Sequence, residues 1–263
     1  MTKGVQTKVI VVTGFLFMLM NCGQQSGPMY YTISHGGIIR GDSTKKEIAL
    51  VFTGGDYSDG GWHIRFVLEQ KMITASFFFT GEFYRNKENK ALVKQLIDDG
   101  HYLGPHSDKH LLYCSWENRD SLLVTREEFV RDMLDNYKEL QRFEIAKEKA
   151  RFYIPPYEWY NDTISHWSDE MGLTLINMTP GTISHTDYTI PTMHNYRDSK
   201  TIYQNILDYE QNNPNGLNGF FLLIHIGTHP ERMDKLYQYL QPLLENLIER
   251  GYHFRRIDEM ITA

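Results

Sequence analysis

Short, continuous apolar runs alternate with longer stretches of helical spacing from about Lys45 to the carboxyl end. Glu47 to Phe52 (Glu-Ile-Ala-Leu-Val-Phe), Ala75 to Thr80 and Gly219 to His225 hold too few polar residues for a half-solvated strand. They read as strands buried on both faces. Tyr102-Leu103, Arg151 to Ile154, Leu173 to Asn177 and Tyr252 to Ile257 are shorter candidates of the same kind. Between them, Trp62 to Gln70, Phe83 to Asp99, Thr125 to Phe143, Asn161 to Met171, Lys200 to Gln211 and Glu231 to Arg250 read as helices. Thr125-Arg126-Glu127-Glu128 is a capping box that opens one helix, and Gly172 closes another. Strands alternating with helices predict an α/β fold whose parallel sheet is closed, or nearly closed, into a barrel. Thr179 to Asn195 is polar and too long for a tight connection, which makes it a candidate substrate loop.

The amino terminus breaks this pattern. Lys3 and Lys8 precede an apolar run from Val9 to Met20 that is short for a membrane span and about right for a signal-peptide core. Leu19-Met20-Asn21-Cys22-Gly23 resembles a bacterial lipoprotein signal, with Cys22 as the lipidated residue. The expected organisation is therefore a signal segment over 1–22, a polar tether over 23–44 and one domain over 45–263. The expected location is the cell envelope, held to the membrane only through a lipid at Cys22, or else secretion. Cys114 is the only other cysteine, so a lipidated Cys22 leaves no disulfide within the chain, and Cys114 reads as a buried small hydrophobe.

Charge and composition narrow the partners. A net charge of -6 with no long Lys/Arg run leaves no electrostatic footprint for nucleic acid. The 17 Tyr and 4 Trp exceed what a core of this size needs, so some rings are expected to face a ligand, and sugars bind to such faces.

Candidate chemistry collects where strands end. His106 and His110, spaced i, i+4 after an apolar run ending in Gly104-Pro105, fall on one face of a helical turn and match a metal-site spacing. Asp108 between them is a candidate to orient one imidazole. Thr53-Gly54-Gly55-Asp56, Pro155 to Glu158, and His225 end three further strands. His225 closes a strongly apolar run, where an unpaired imidazole is costly without a purpose. His101, His185, His194 and His229 read as surface or loop residues.

Taken together, His106-Ser107-x-x-His110, Phe77-Phe78-Phe79-Thr80-Gly81, Pro155-Pro156-Tyr157 and Leu223-Ile224-His225 resemble, in order and spacing, the motifs of the polysaccharide deacetylases, carbohydrate esterase family four. That resemblance implies a distorted (β/α) barrel holding one divalent metal, usually zinc, on two histidines and an aspartate, with metal-activated water attacking an acetyl carbonyl. His106 and His110 match the metal ligands, His225 the histidine that protonates the leaving group, and the backbone near Tyr157 the part that steadies the oxyanion. The first motif departs from the family's Thr-Phe-Asp-Asp-Gly: it reads Val51-Phe52-Thr53-Gly54-Gly55-Asp56, so Thr53 stands at the base and Gly54 at the metal ligand. Ile154 replaces the arginine that pairs with that base, Glu158 replaces a glycine, and the family's Asp-Trp pair has no evident counterpart. The expectation carried forward is a rewired site. Asp56 swings back to complete a metal site with His106 and His110, and Glu158 or Asp56 activates water. Trp116, Tyr157 and Trp159 hold the sugar. The activity this implies is metal-dependent removal of N- or O-acetyl groups from a glycan. The alternatives are a barrel that has lost catalysis and binds glycan only, or a metal hydrolase of another C–N bond.

Overall fold

The computed structural model describes residues 31–261. The expected signal segment with its Cys22, and the first part of the expected tether (23–30), lie outside them. In chain order the strands are β1 (Thr32–Ser34), β2 (Gly37–Arg40), β3 (Glu47–Gly54), β4 (Ser76–Phe79), β5 (Tyr102–Pro105), β6 (Phe152–Tyr153), β7 (Thr174–Leu175), β8 (Phe220–His225) and β9 (His253–Arg255). The helices are α1 (Gly61–Lys71), α2 (Gly81–Arg85), α3 (Lys90–Asp98), α4 (Arg126–Gln141), α5 (Asp162–Glu170), α6 (Ser199–Asn212), α7 (Leu240–Glu249) and α8 (Ile257–Met260).

One sheet runs β1-β2-β8-β3-β4-β5, with β9 paired to the first residues of β3. The pairings of β3 with β4, β8 and β9, and of β4 with β5, are parallel, and β1 and β2 form an antiparallel edge. The short parallel pair β6-β7 fills the gap between the two ends of the curled sheet. On one side Ile38 bridges Ile176. On the other, the Tyr102 hydroxyl donates to the Phe152 carbonyl and accepts from the Phe152 amide. The result is the distorted, partly closed (β/α) barrel expected from the sequence.

The strands are apolar on both faces because both faces are covered. Ala49, Val51, Phe221 and Leu223 point into the barrel with Phe78, Phe152, Ile154 and Ile176. Ile48, Leu50, Phe52, Leu222 and Ile224 point outward into the layer that includes Ile64 and Leu68 of α1 and Leu243, Leu244 and Leu247 of α7. Cys114 is buried, as its hydrophobic reading requires, and burial pushes its thiol up to about 11.

Three expectations need correction. Residues assigned to the tether include β1 and β2, so the folded unit already contains Thr32. The helix expected from Phe83 to Asp99 breaks into α2, a 3-10 turn at Lys87–Asn89, and α3. The break has a cause in Asn89, whose buried amide donates to the Phe83 carbonyl and accepts from the Ser58 hydroxyl. The helix expected from Glu231 starts instead at Leu240, after a 3-10 turn at Leu236–Tyr239. Arg232 is fully buried and donates to the carbonyls of Thr189 and Arg197, holding the preceding segment in a loop.

His101, read from the sequence as a surface histidine, is also buried. Its Nδ1 accepts the Ala75 amide at 3.1 Å, and burial lowers the imidazole to about 4. The folded state therefore keeps His101 neutral where the unfolded chain protonates it. Its contribution is complete above pH 6.5 and is lost progressively as pH falls toward 4. The expected loss is about 3 kcal/mol over that window. Urea unfolding at pH 7.5 and pH 4.5 checks this: His101→Gln, which keeps an acceptor for Ala75, should lose clearly less stability on acidification than the unmutated chain.

Candidate functional site

β3 and β8 pair in parallel register from Ile48 opposite Phe220 to Thr53 opposite His225. The two-residue alternation that sends Val51 and Leu223 into the barrel puts Thr53 and His225 on the same inner face, one step further, at the carboxyl mouth. Thr53 is 1% exposed and its hydroxyl has no hydrogen-bond partner among the described residues. Gly54, on the opposite face, is tightly enclosed. A Cβ placed there would meet Ile226 Cγ2 at 2.7 Å and the Phe79 ring at 2.9 Å. The family-position carboxylates are thus absent, and the space beside Gly54 is filled by apolar neighbours.

β5 delivers His106, whose amide continues the sheet by donating to the Phe79 carbonyl. His106 and His110 do approach, with ring centroids 5.0 Å apart, but not on a helical turn. The segment between them is a loop with positive φ at Ser107 (71°) and His110 (54°). Helix α4 holds that loop. Asp132 accepts from the Ser107 hydroxyl at 2.5 Å and from the Asp108 and Lys109 amides, and Asn136 accepts from the His106 amide. Asp108 does not orient a histidine; it forms a two-pronged ion pair with Arg85 at 2.6 and 3.2 Å. His106 Nδ1 lies 2.8 Å from the Ile154 carbonyl. A carbonyl only accepts, so Nδ1 carries the proton and Nε2 presents its lone pair. Burial, followed by the neighbouring His110, lowers His106 well below the usual imidazole range, and burial brings His110 down to about 4.

His225 has a partner that sequence reading missed. Asp187 lies on a 3-10 turn, Ser184–Tyr188, inside the long polar loop. Its carboxylate accepts from His225 Nδ1 at 2.6 Å and from the His225 amide at 3.0 Å. Burial opposes a charge on this imidazole, but Asp187, aided by Glu158, outweighs it and raises the pKa. The one available signal was a carboxylate beside an aromatic residue, Asp187-Tyr188, in a long polar loop.

Tyr157 and Glu158 have successive positive φ values of 59° and 53°. For residues with a Cβ this is a strained pair, of the kind that persists where the surroundings impose it. Glu158 faces the mouth without a hydrogen-bond or ion-pair partner for its carboxyl among the described residues. Burial pushes it up to about 7.

All the residues expected in the site line one cleft of about 1110 Å³: Asp56, His106, His110, Trp116, Tyr157, Glu158, Trp159 and His225. His185 and His229, set aside in the sequence reading, line it too. Trp116 and Tyr157 are the open aromatic faces, 57% and 45% exposed. Trp159 backs them; its indole NH donates to the Ser115 carbonyl and its ring carries the Arg119 guanidinium 3.5 Å above the centroid. Tyr188 faces His225 from the opposite wall, ring centroids 5.7 Å apart.

The expected metal donor set is not assembled. Asp56 is exposed on the loop after β3. Among the described residues no group of three or more His, Cys, Asp or Glu side chains is close enough to hold an ion. Two imidazoles remain, and the position that should supply the carboxylate is a glycine enclosed by Ile226 and Phe79. These residues do not fit the three-ligand metal site that the motifs imply.

A profile of the family described as polysaccharide deacetylase matches residues 40–176. The chain belongs to the polysaccharide deacetylase family. It is 23% identical over 222 residues to the peptidoglycan-N-acetylmuramic acid deacetylase PdaA of Bacillus subtilis, covering 84% of this chain and 73% of that one. It is 25% identical over 219 residues to a peptidoglycan-N-acetylglucosamine deacetylase of Bacillus cereus, covering 83% and 90%. Among solved structures it resembles BA3943, a carbohydrate esterase family four pseudoenzyme from Bacillus anthracis, with a TM-score of 0.66, 19% identity, and coverage of 87% and 69%. At that identity the likeness establishes the shared deacetylase fold.

Two outcomes follow from this geometry. In Asp187→Asn the His225 imidazole should titrate at lower pH by at least about tenfold in proton affinity, read by NMR; an unmoved midpoint would show that Asp187 does not hold the proton. Glu158→Gly, which restores the deacetylase-family residue at a left-handed position, should raise stability by about 1 kcal/mol in urea unfolding.

Proposed function

We propose that this chain is a glycan-binding member of the deacetylase fold that has lost metal-centred deacetylation. The observation that carries the reading is the mouth of β3. Thr53 and Gly54 stand where the family's two carboxylates belong, and apolar side chains pack where a residue larger than glycine would project at 54. What survives is a binding surface. Trp116 and Tyr157 offer open rings at one lip and Tyr188 at the other, spaced by a cleft large enough for several sugar rings. The natural occupant is an envelope glycan of the peptidoglycan type, by analogy with the named relatives, with Cys22 as the expected lipid anchor. Among the described residues no helix is long and apolar enough to cross a membrane.

The preserved His225–Asp187 pair and the raised pKa of Glu158 favour one second reading, hydrolysis of an acyl group with Glu158 as base and His225 as acid. That chemistry would run without a metal and would not respond to a chelator.

Elemental analysis of the purified protein, with acetate release and calorimetric binding on acetylated and de-acetylated glycan oligomers, separates these readings. The glycan-binding reading expects substoichiometric metal, no acetate release, and binding that falls at least about tenfold in a Trp116→Ala, Tyr157→Ala double variant. One tightly held metal per chain with chelator-sensitive acetate release would overturn it, and chelator-insensitive release lost in Glu158→Gln would establish the second reading.

A further inference from the structure

The inner floor of the cleft has polar groups without partners among the described residues. Among the described residues the hydroxyl of Thr53, 1% exposed, has no partner, and the buried Nδ1 of His185 has none either. The same cleft is lined by three carboxylates, Asp56, Glu82 and Glu158, none of which makes a hydrogen bond or ion pair among the described residues. Its guanidinium, Arg119, lies on the Trp159 ring, and the charge of His225 is already matched by Asp187.

These groups converge. Thr53 stands opposite His225 in the β3–β8 register, and both Glu158 and His185 interact electrostatically with His225. His185 is kept neutral by burial, so one of its ring nitrogens has a free lone pair. His106 directs Nε2, also a lone pair, away from its bond to Ile154. An uncharged acetamido group brings one N–H and no charge, so it leaves the carboxylates of the cleft unmatched. A primary ammonium brings three donors and a positive charge. The floor therefore complements the second group.

Resting on the glycan-binding reading above, we propose that the cleft recognises an amino sugar whose nitrogen is free, a de-N-acetylated glycan, with the amine held by Glu158 and Thr53. An ammonium beside Glu158 favours the ionised carboxylate, which then supplies the counter-charge, and the Thr53 hydroxyl accepts a hydrogen bond that none of the described residues provides. Trp116 and Tyr157 hold neighbouring rings by their faces, which any β-linked sugar offers. The aromatic lip thus binds the backbone and the floor reads the substituent on nitrogen.

The test compares a pentamer of β-1,4-linked glucosamine with its fully N-acetylated counterpart by calorimetry on the full chain at pH 7.0, with chelator present. The expected result is at least about tenfold tighter binding of the free-amine pentamer, the size of one charge-assisted hydrogen bond. Glu158→Gln and Thr53→Val should each erode that preference, read as the ratio of the two affinities in the same variant. Equal or tighter binding of the acetylated pentamer would overturn the inference and leave the glycan-binding reading standing. A preference that survives Glu158→Gln would mean that the exposed Asp56 and Glu82 attract the cation nonspecifically, which also overturns it. Binding of neither pentamer would remove both readings. Folding of each variant is checked by its urea midpoint, and Glu158→Asp, keeping the charge, should retain part of the preference.

Discussion

The in-register parallel pairing of β3 with β8 is the constraint on which the rest depends. β3 touches three strands at once: β8 along its length, β9 at its start and β4 at its end. With a side-chain period of two, that pairing assigns every residue of both strands either to the barrel interior or to the layer under the helices. A slip of one residue would exchange Phe52 with Val51 and turn the outward set of β3 into an interior already filled by Phe78, Phe152 and Phe221. The same register fixes the last inward pair, Thr53 and His225, so the chemistry at the mouth follows from the packing of the core beneath it.

Replacing the acidic residues at such a site is a problem in charge balance. An arginine at position 154 would sit in the barrel interior, where Ile154 is fully buried. Without an acidic partner at position 53 that charge would be unsupported, and an unpaired buried charge costs several kcal/mol. Thr53 with Ile154 is therefore a matched replacement: a small polar group and an apolar one in place of an ion pair. Ile154 keeps one older duty through its backbone, since its carbonyl still fixes the tautomer of His106. Glu158 is the addition that this balance does not require, placed in a strained backbone position that glycine would occupy freely.

The parts of this protein legible in its sequence are those governed by local rules. Alternating apolar runs gave the strand positions, and Thr125 with Glu128 forms the reciprocal cap that its spacing predicts. The motif order was enough to bring His106, His110, Tyr157 and His225 to one cleft. The illegible parts are set by distant contacts. A break between α2 and α3 depends on Asn89 reaching Ser58, and the late start of α7 depends on Arg232 reaching Thr189. Asp187 was missed because its role exists only once a loop folds back over β8. Asp56 stands exposed on the loop after β3, where two glycines make a chain able to bend without holding it bent.

Frustration in this structure is not spread evenly, and its distribution is an argument about purpose. Three buried side-chain atoms lack partners among the described residues, and two of them, Thr53 Oγ1 and His185 Nδ1, line the same cleft. The third, Arg232 Nε, belongs to a side chain whose terminal nitrogens are well bonded. Three residues with positive φ, His110, Tyr157 and Glu158, stand at that cleft as well. Each such defect costs on the order of 1–3 kcal/mol, in a fold whose net stability is only about 5–15 kcal/mol. A site released from all function has simple repairs available, with valine at 53 and glycine at 158 among them. That the unmet groups remain together, facing open space between aromatic lips, is best accounted for by a ligand that satisfies them.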